Sequence, residues 1–244
     1  MNTATLKFGK GSDNAKLRKL EEKLGKKVFT FSLPAGYTCP GASKCLTKFD
    51  RKAIKADGKL GKIVDGPDQE FRCFAASMEA VFKGFRDNNT SNFEALKKLN
   101  TEEATALILA SLPLKAEIIR IHISGDFFSE SYFKAWCNVA AARPDITFYA
   151  YSKSLTFWIA NRHLVPTNMH LTASTGGKHD ALIGQYGLKN SKVVFSVEEA
   201  AILGLQIDHD DSHAAVGDDS FALLLHGMQA KGSKAAAAMK LIEA

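Results

Sequence analysis

The chain has 244 residues, enough for one large domain or two small ones, and its 45% apolar and 24% charged residues are the balance of an ordinary folded protein. That excludes a disordered chain, a collagen-like repeat and a disulfide-packed mini-protein, and no stretch approaches the roughly 18 apolar residues that a membrane helix needs. The net charge of +6 is uneven: residues 1–62 carry 15 Lys and Arg against 5 Asp and Glu (+10), and the other 182 carry 17 against 21 (−4).

The spacing of Leu17, Leu20 and Leu24 predicts an amphipathic helix over 12–24. Residues 28–31 read as a first strand that runs into the turn signal Leu33-Pro34-Ala35-Gly36. Residues 47–70 are charged and glycine-punctuated, the pattern of an excursion over the surface. A helix is expected from near Cys73 through Phe82. Another starts at Ser91, which pairs with Glu94 as a capping box, and a third covers 102–112 and stops at Pro113. From there the rhythm changes. Strands are expected at 118–123, 146–151, 169–173, 193–196 and 221–225. Helices fall at 129–142, 155–163 and after Ser196 through Leu203, and Ser233 caps an alanine-rich terminal helix.

Strands alternating with helices argue for a parallel sheet with right-handed crossovers. Six strands fit an α/β fold of the open six-stranded (β/α) kind, a partial TIM-like barrel with extra N-terminal helices. A full eight-fold barrel takes about 250 residues without such additions. A doubly wound sheet is the alternative. Within the second strand Ile119, Ile121 and Ile123 share one face, and Arg120, His122 and Ser124 share the other. A doubly wound sheet is apolar on both faces, whereas a barrel with a site in its lumen gives this pattern. The whole of 1–244 is expected to be one domain. The start, Met1-Asn2-Thr3-Ala4-Thr5-Leu6-Lys7, lacks the apolar core of a signal peptide, so a cytoplasmic protein with reduced thiols is expected.

Ligands of parallel α/β folds bind at the carboxyl ends of the strands. There the sequence delivers Thr38, Cys39, Pro40 and Cys45, then Ser124-Gly125-Asp126, Ser152-Lys153-Ser154, Ser174-Thr175-Gly176-Gly177, Ser196, and His226-Gly227. Cys39 and Cys45 flank a short loop, and Cys73 opens a helix directly after Arg72, where both the helix end and the arginine favour a thiolate. Three thiolates can bind zinc or an iron–sulfur cluster. Their spacing matches neither the common cluster motifs nor paired zinc-finger cysteines, and buried free cysteines are the plain alternative. Cys137 beside Trp136 reads as core. Asp208-His209-Asp210-Asp211-Ser212-His213 has the composition of a metal site but precedes the sixth strand, at the far end, and reads as a solvated loop. His122 and His170 are expected to face the lumen. Lys153 is expected to hold an anionic group, to act as a base, or to be an ordinary surface lysine.

Two resemblances rest on these motifs. The stretch Ile119-Arg120-Ile121-His122-Ile123-Ser124-Gly125-Asp126-Phe127-Phe128, with Trp136 and Phe148-Tyr149-Ala150-Tyr151-Ser152-Lys153, resembles the phage proteins catalogued as gene product 88. So do Leu33-Pro34-Ala35-Gly36-Tyr37-Thr38-Cys39-Pro40-Gly41-Ala42, Cys73-Phe74-Ala75, Leu225-His226-Gly227 and Gly232-Ser233. That resemblance covers about 31–238. It implies a phage protein in an infected cell, with an early cysteine group at Cys39, Cys45 and Cys73. More distantly, the layout is similar to the radical S-adenosylmethionine enzymes. In those, three cysteines after the first strand hold a 4Fe–4S cluster, and a turn after the second strand holds the methionine amine. Here Ser124-Gly125-Asp126 stands in the place of that turn, and the tight C-x3-C-x2-C loop is absent. The resemblances imply a 4Fe–4S cluster on Cys39, Cys45 and Cys73. Ser124, Gly125, Asp126, Lys153 and His226 would lie around whatever binds the remaining iron, and S-adenosylmethionine would be one candidate there.

Three functions compete. One is an iron–sulfur enzyme or its relic. The second is a replication initiator or nicking protein that meets nucleic acid through the +10 segment and uses Tyr149 or Tyr151 as nucleophile beside His122. The third is a non-catalytic module that folds around the cluster and holds an acidic protein partner with its basic face.

Overall fold

The computed structural model describes residues 5–50 and 62–242. Residues 1–4, and 51–61 within the expected excursion, lie outside them. The chain opens with a short strand β1 (Gly9–Lys10), then helix α1 (Ala15–Leu24) and strand β2 (Val28–Phe31). Asn14 caps α1, its side-chain oxygen accepting from the backbone N–H groups of Lys16 and Leu17. Strands β3 (Thr47–Phe49) and β4 (Ile63–Asp65) form a separate antiparallel pair. Three helices follow: α2 (Phe74–Val81), α3 (Lys83–Leu96) and α4 (Thr101–Ser111).

The alternating half then runs β5 (Ile118–Ile121), α5 (Glu130–Ala142), β6 (Thr147–Ser152), α6 (Leu155–Ala160) and β7 (Met169–Ser174). It continues with α7 (Ala181–Tyr186), β8 (Asn190–Val194), α8 (Val197–Ile202), α9 (Ser212–Ala215), β9 (Phe221–Leu224) and α10 (Lys234–Ile242). All six expected strands are present. They form a mostly parallel seven-stranded sheet in the order β1-β2-β5-β6-β7-β8-β9, with β1 as an added antiparallel edge. From β2 to β9 every crossover steps to the next neighbour, with Val28 opposite Ile118, Ile118 opposite Thr147, Phe148 opposite Met169 and Ser191 opposite Phe221. The order never reverses, so the crevice of a doubly wound sheet has no place here.

Two apolar layers hold the sheet. On one face Ile119, Ile121, Phe148 and Ala150 pack against Trp136 and Phe133 of α5 and Ile108 of α4. On the other, Leu17 and Leu20 of α1 meet Ala214 and Ala215 of α9 over Val28, Ile118, Tyr149 and Phe221. That second cluster draws on β2 and on β9, which stand at opposite ends of the parallel run. Cys137 is buried in the first layer, as its place beside Trp136 implies, and burial pushes its thiol up to about 12.

Three expectations need correction. Ser91 does not begin a helix; it lies inside α3, whose N-cap is Phe82. A capping side chain matters only where backbone N–H groups lack partners, and at 91 the preceding turn supplies them. The earlier start is fixed from outside the helix: Arg86 donates to the carbonyl of Glu79, Asn89 to the Glu79 carboxylate, and Asn92 to the carbonyls of Lys7 and Ser32. The real capping box is Asn100 with Glu103, at the start of α4. The described part of the 47–70 excursion is not a mere surface loop, since Thr47 and Phe49 are fully buried. The third correction concerns Asp208–His213 and belongs with the site.

Candidate functional site

The carboxyl ends of the strands surround one cavity of about 900 Å³, counted with its open mouth. All three early cysteines line it. So do Ser124, Gly125 and Asp126 after β5, Lys153 after β6, Ser174 at the end of β7 and His226 after β9. His122 reaches it as well; His170 does not, and Ser196 instead caps α8.

Local backbone contacts place each cysteine. The Cys39–Cys45 loop is tied across to the turn after β7: Lys44 N–H donates to Gly176 O at 2.9 Å and Lys178 N–H to Gly41 O at 2.8 Å. Gly41 makes the approach possible, since a Cβ there would lie 2.0 Å from the Lys153 carbonyl oxygen. Cys73 is the N-cap residue of α2, and its N–H donates to Thr47 Oγ1 of β3. The β3–β4 pair thus supports a cysteine instead of wandering over the surface. Glu79 joins these pieces. Fully buried in α2, its Oε1 accepts from Ala35 N at 3.0 Å, Asn89 Nδ2 at 2.9 Å and Ser124 Oγ at 3.2 Å. One carboxylate therefore links the Cys73 helix, the turn before Cys39 and the turn after β5. Sequence reading missed it, although a lone acid within Phe74-Ala75-Ala76-Ser77-Met78-Glu79-Ala80-Val81 is a readable anomaly.

The electrostatics differ from expectation at Cys73. Burial, with Cys45 adding to it, raises its thiol to about 12, while the N–H groups of Ala75 and Ala76 pull the other way without winning. Arg72 does not serve the thiol; its guanidinium is paired bidentately with Asp65 of β4 at 2.7–3.1 Å. The Cys39 thiol is also raised, by burial first and then by Asp126.

Asp126 turns its carboxylate into the protein. Oδ1 accepts from Phe127 N and Ser152 Oγ, both at 2.7 Å, and Oδ2 from Lys153 N at 2.8 Å. Burial raises its pKa against those bonds. Lys153 is 7% exposed, and its Nζ donates to the hydroxyl and carbonyl of Ser174. Among the described residues no carboxylate comes within ion-pair distance of it. His226 stands at the mouth, exposed to solvent, with its ring 4.8 Å from that of Phe74 and its Nδ1 3.0 Å from Leu224 O, and partial desolvation by the surrounding protein lowers its pKa. His122 is packed between Phe127 and Tyr132, with Nε2 3.0 Å from the Tyr132 hydroxyl. Burial first, then Arg120, brings its pKa down to about 3.

The acidic stretch before β9 is not a solvated loop. Asp208 and Asp211 are buried, and Asp211 adopts φ +63°. Its Oδ2 accepts from Arg120 and from Tyr149 at 2.9 Å; its Oδ1 accepts from Tyr151 at 3.1 Å and pairs with Lys16 at 2.7 Å. Burial alone would raise this carboxyl, but Arg120 and Lys16 hold it below the ordinary range. Both tyrosines have raised pKa values, from burial and then from Asp211, and Tyr149 has no exposure at all. Tyr149 is thus enclosed and bonded to a carboxylate, whereas Tyr151, half-buried on the cavity wall, bonds the same carboxylate.

The gene product 88 family matches residues 5–243. The chain belongs to that family. A gene 88 protein of Mycobacterium phage L5 is 31% identical over 93 residues, and one of Mycobacterium phage D29 is 30% identical over the same length. Each match covers 34% of this chain and 39% of the relative. No solved structure matches. Among the described residues no helix is long and apolar enough to cross a membrane, and no group of three His, Cys, Asp or Glu is placed to share one metal ion.

Proposed function

We propose that this chain is an iron–sulfur protein, with a 4Fe–4S cluster held by Cys39, Cys45 and Cys73 at the mouth of an open, six-stranded barrel-like sheet. The observation that carries the reading is the wall of one cavity. Three thiols share it with a buried lysine that has no carboxylate in ion-pair range among the described residues. Asp126 acts on this lysine electrostatically from beyond ion-pair range, and a thiolate-bound cluster would bring further negative charge to it. The three cysteines line one space and act on each other electrostatically, as donors to a shared group would.

Barrel-like curvature is part of the proposal. It is supported by the unbroken strand order and by the apolar cluster that joins β2 to β9. In that arrangement α1 and α9 close the amino-terminal end of the lumen and leave the other end open. A bound cluster would supply electron transfer or an open iron for a ligand. Lys153 then balances charge, while Glu79 and Asp126 fix the turns that carry the donors. The phage relatives support a place of action in the cytoplasm of an infected bacterium.

The test is protein purified without oxygen. About four irons and four sulfides per chain are expected. Cys39→Ser, Cys45→Ser or Cys73→Ser should each lower that content, and Cys137→Ala should leave it intact. One zinc per chain without sulfide would sink the proposal. Electron paramagnetic resonance with and without S-adenosylmethionine then shows whether the iron without a cysteine ligand accepts that molecule.

A further inference from the structure

Three cysteines leave one iron of a 4Fe–4S cluster without a protein thiolate. We infer that His226 is its ligand, through Nε2; the inference rests on the iron–sulfur reading above.

Besides the cysteines, the cavity wall offers lone pairs from His122, Asp126 and His226 and from the hydroxyls of Ser124, Ser174 and Tyr151, which are engaged with Glu79, Lys153 and Asp211. Asp126 spends both oxygens on the turn it stabilises. His122 has Nε2 against Tyr132, and its Nδ1 has no accessible surface for an incoming atom. His226 is the reverse case. Its ring is exposed at the mouth, and Nδ1 faces the carbonyl of Leu224, so the proton resides on Nδ1 and Nε2 carries the lone pair. A ring nitrogen fixed by a backbone carbonyl is the usual outer support of a metal-bound histidine.

The backbone after β9 is also anchored on the start of α2, next to Cys73. The Gln229 side chain accepts from Arg72 N at 2.8 Å and donates to the carbonyls of Arg72 and His226 at 3.4 and 3.2 Å. It bridges the residue before Cys73 to the histidine itself. Gly227, at φ +82°, lets the chain turn there, and a Cβ on it would lie 2.7 Å from that of Phe74. The stack of His226 on Phe74 follows from this approach. Phe74 is the next residue after Cys73, and all three line the same cavity.

The experiment is pulsed electron paramagnetic resonance on the reduced, cluster-loaded chain with ¹⁵N-labelled histidine. The wild type is expected to show one strongly coupled nitrogen. His226→Gln should lose it while keeping about four irons, and His122→Gln should keep it. In His226→Cys the cluster should persist without the nitrogen signal and with a lower reduction potential, because imidazole ligation raises cluster potentials relative to thiolate. A cluster with no coupled nitrogen, or with one that survives in His226→Gln, overturns the assignment of His226 and leaves the iron–sulfur reading standing. Absence of any cluster from the wild type overturns both.

Discussion

At the scale of single residues, the decisive feature is a charge placed where water cannot reach it. Asp211 is 1% exposed and answers Arg120 and Lys16 at once, with two phenols completing its shell. Removing one partner of a buried ion pair strands the other, at a cost of about 3–5 kcal/mol. Asp211→Asn keeps the shape but removes the charge, so a loss of about that size is expected in urea unfolding at pH 7. The pH dependence has a definite sign. The folded carboxyl lies below its unfolded value of about 3.9, so its contribution is full above that value and drains away as pH falls through the folded one. The gap between wild type and Asp211→Asn should therefore shrink on acidification from pH 6 towards pH 3. A gap that stays constant, or widens, would show that the carboxylate charge is not what stabilises the knot. None of this was legible in Asp208-His209-Asp210-Asp211. Burial of an acid is decided by its partners, and these lie 91 and 195 positions away in the sequence, at Arg120 and Lys16.

At the scale of elements, periodicity found the parallel strands because each is a short apolar run with a two-residue alternation, bounded by turn residues. Most of their ends, and with them many of the residues around the cavity, followed from that; β8 ends at Val194, so Ser196 caps α8 instead. The two-residue strand β1 and the three-residue strands β3 and β4 were invisible, since runs so short carry no period. Ser91 misled because a capping box is a local pattern, whereas α3 takes its limits from Arg86, Asn89 and Asn92. Glu79 shows the same priority of distant partners. Glu79→Ala would leave three buried donors without their acceptor, each costing about 1–3 kcal/mol. It should also free the Cys73 helix from the turn before Cys39. The expected result is a protein less stable by several kcal/mol that retains less iron per folded chain. Glu79→Gln preserves the accepting oxygen and should restore most of both. Equal iron retention in the alanine and glutamine variants, each measured under conditions where it is folded, would mean that Glu79 holds the fold but does not position the cysteines.

At the scale of the whole molecule, the +10 of residues 1–62 is partly answered from within. Lys16 pairs with Asp208 and Asp211, Lys23 with Asp210, and Lys44 with Glu70. The acids come from the later, acidic part of the chain, so folding brings the two halves of the charge asymmetry into contact. The sequence alone could show the imbalance but not its cancellation, because only the fold lays α1 against the segment before β9. A nucleic-acid surface needs several lysines and arginines free to replace counterions on successive phosphates. With Lys16, Lys23 and Lys44 paired to acids of the same chain, the chain is expected to bind duplex DNA no more tightly than an ordinary non-specific contact, with Kd of about 10⁻⁶ M or weaker at physiological salt. Fluorescence anisotropy of a labelled duplex at 50 and 150 mM salt measures this. Binding should be weak at the lower salt and fade at the higher, as a residual Coulomb attraction does. Nanomolar affinity that persists at 150 mM would show that the lysines outside these pairs suffice for a real interface, and the acid-lined docking of α1 would then have to be read as orientation of a binding face rather than as neutralisation.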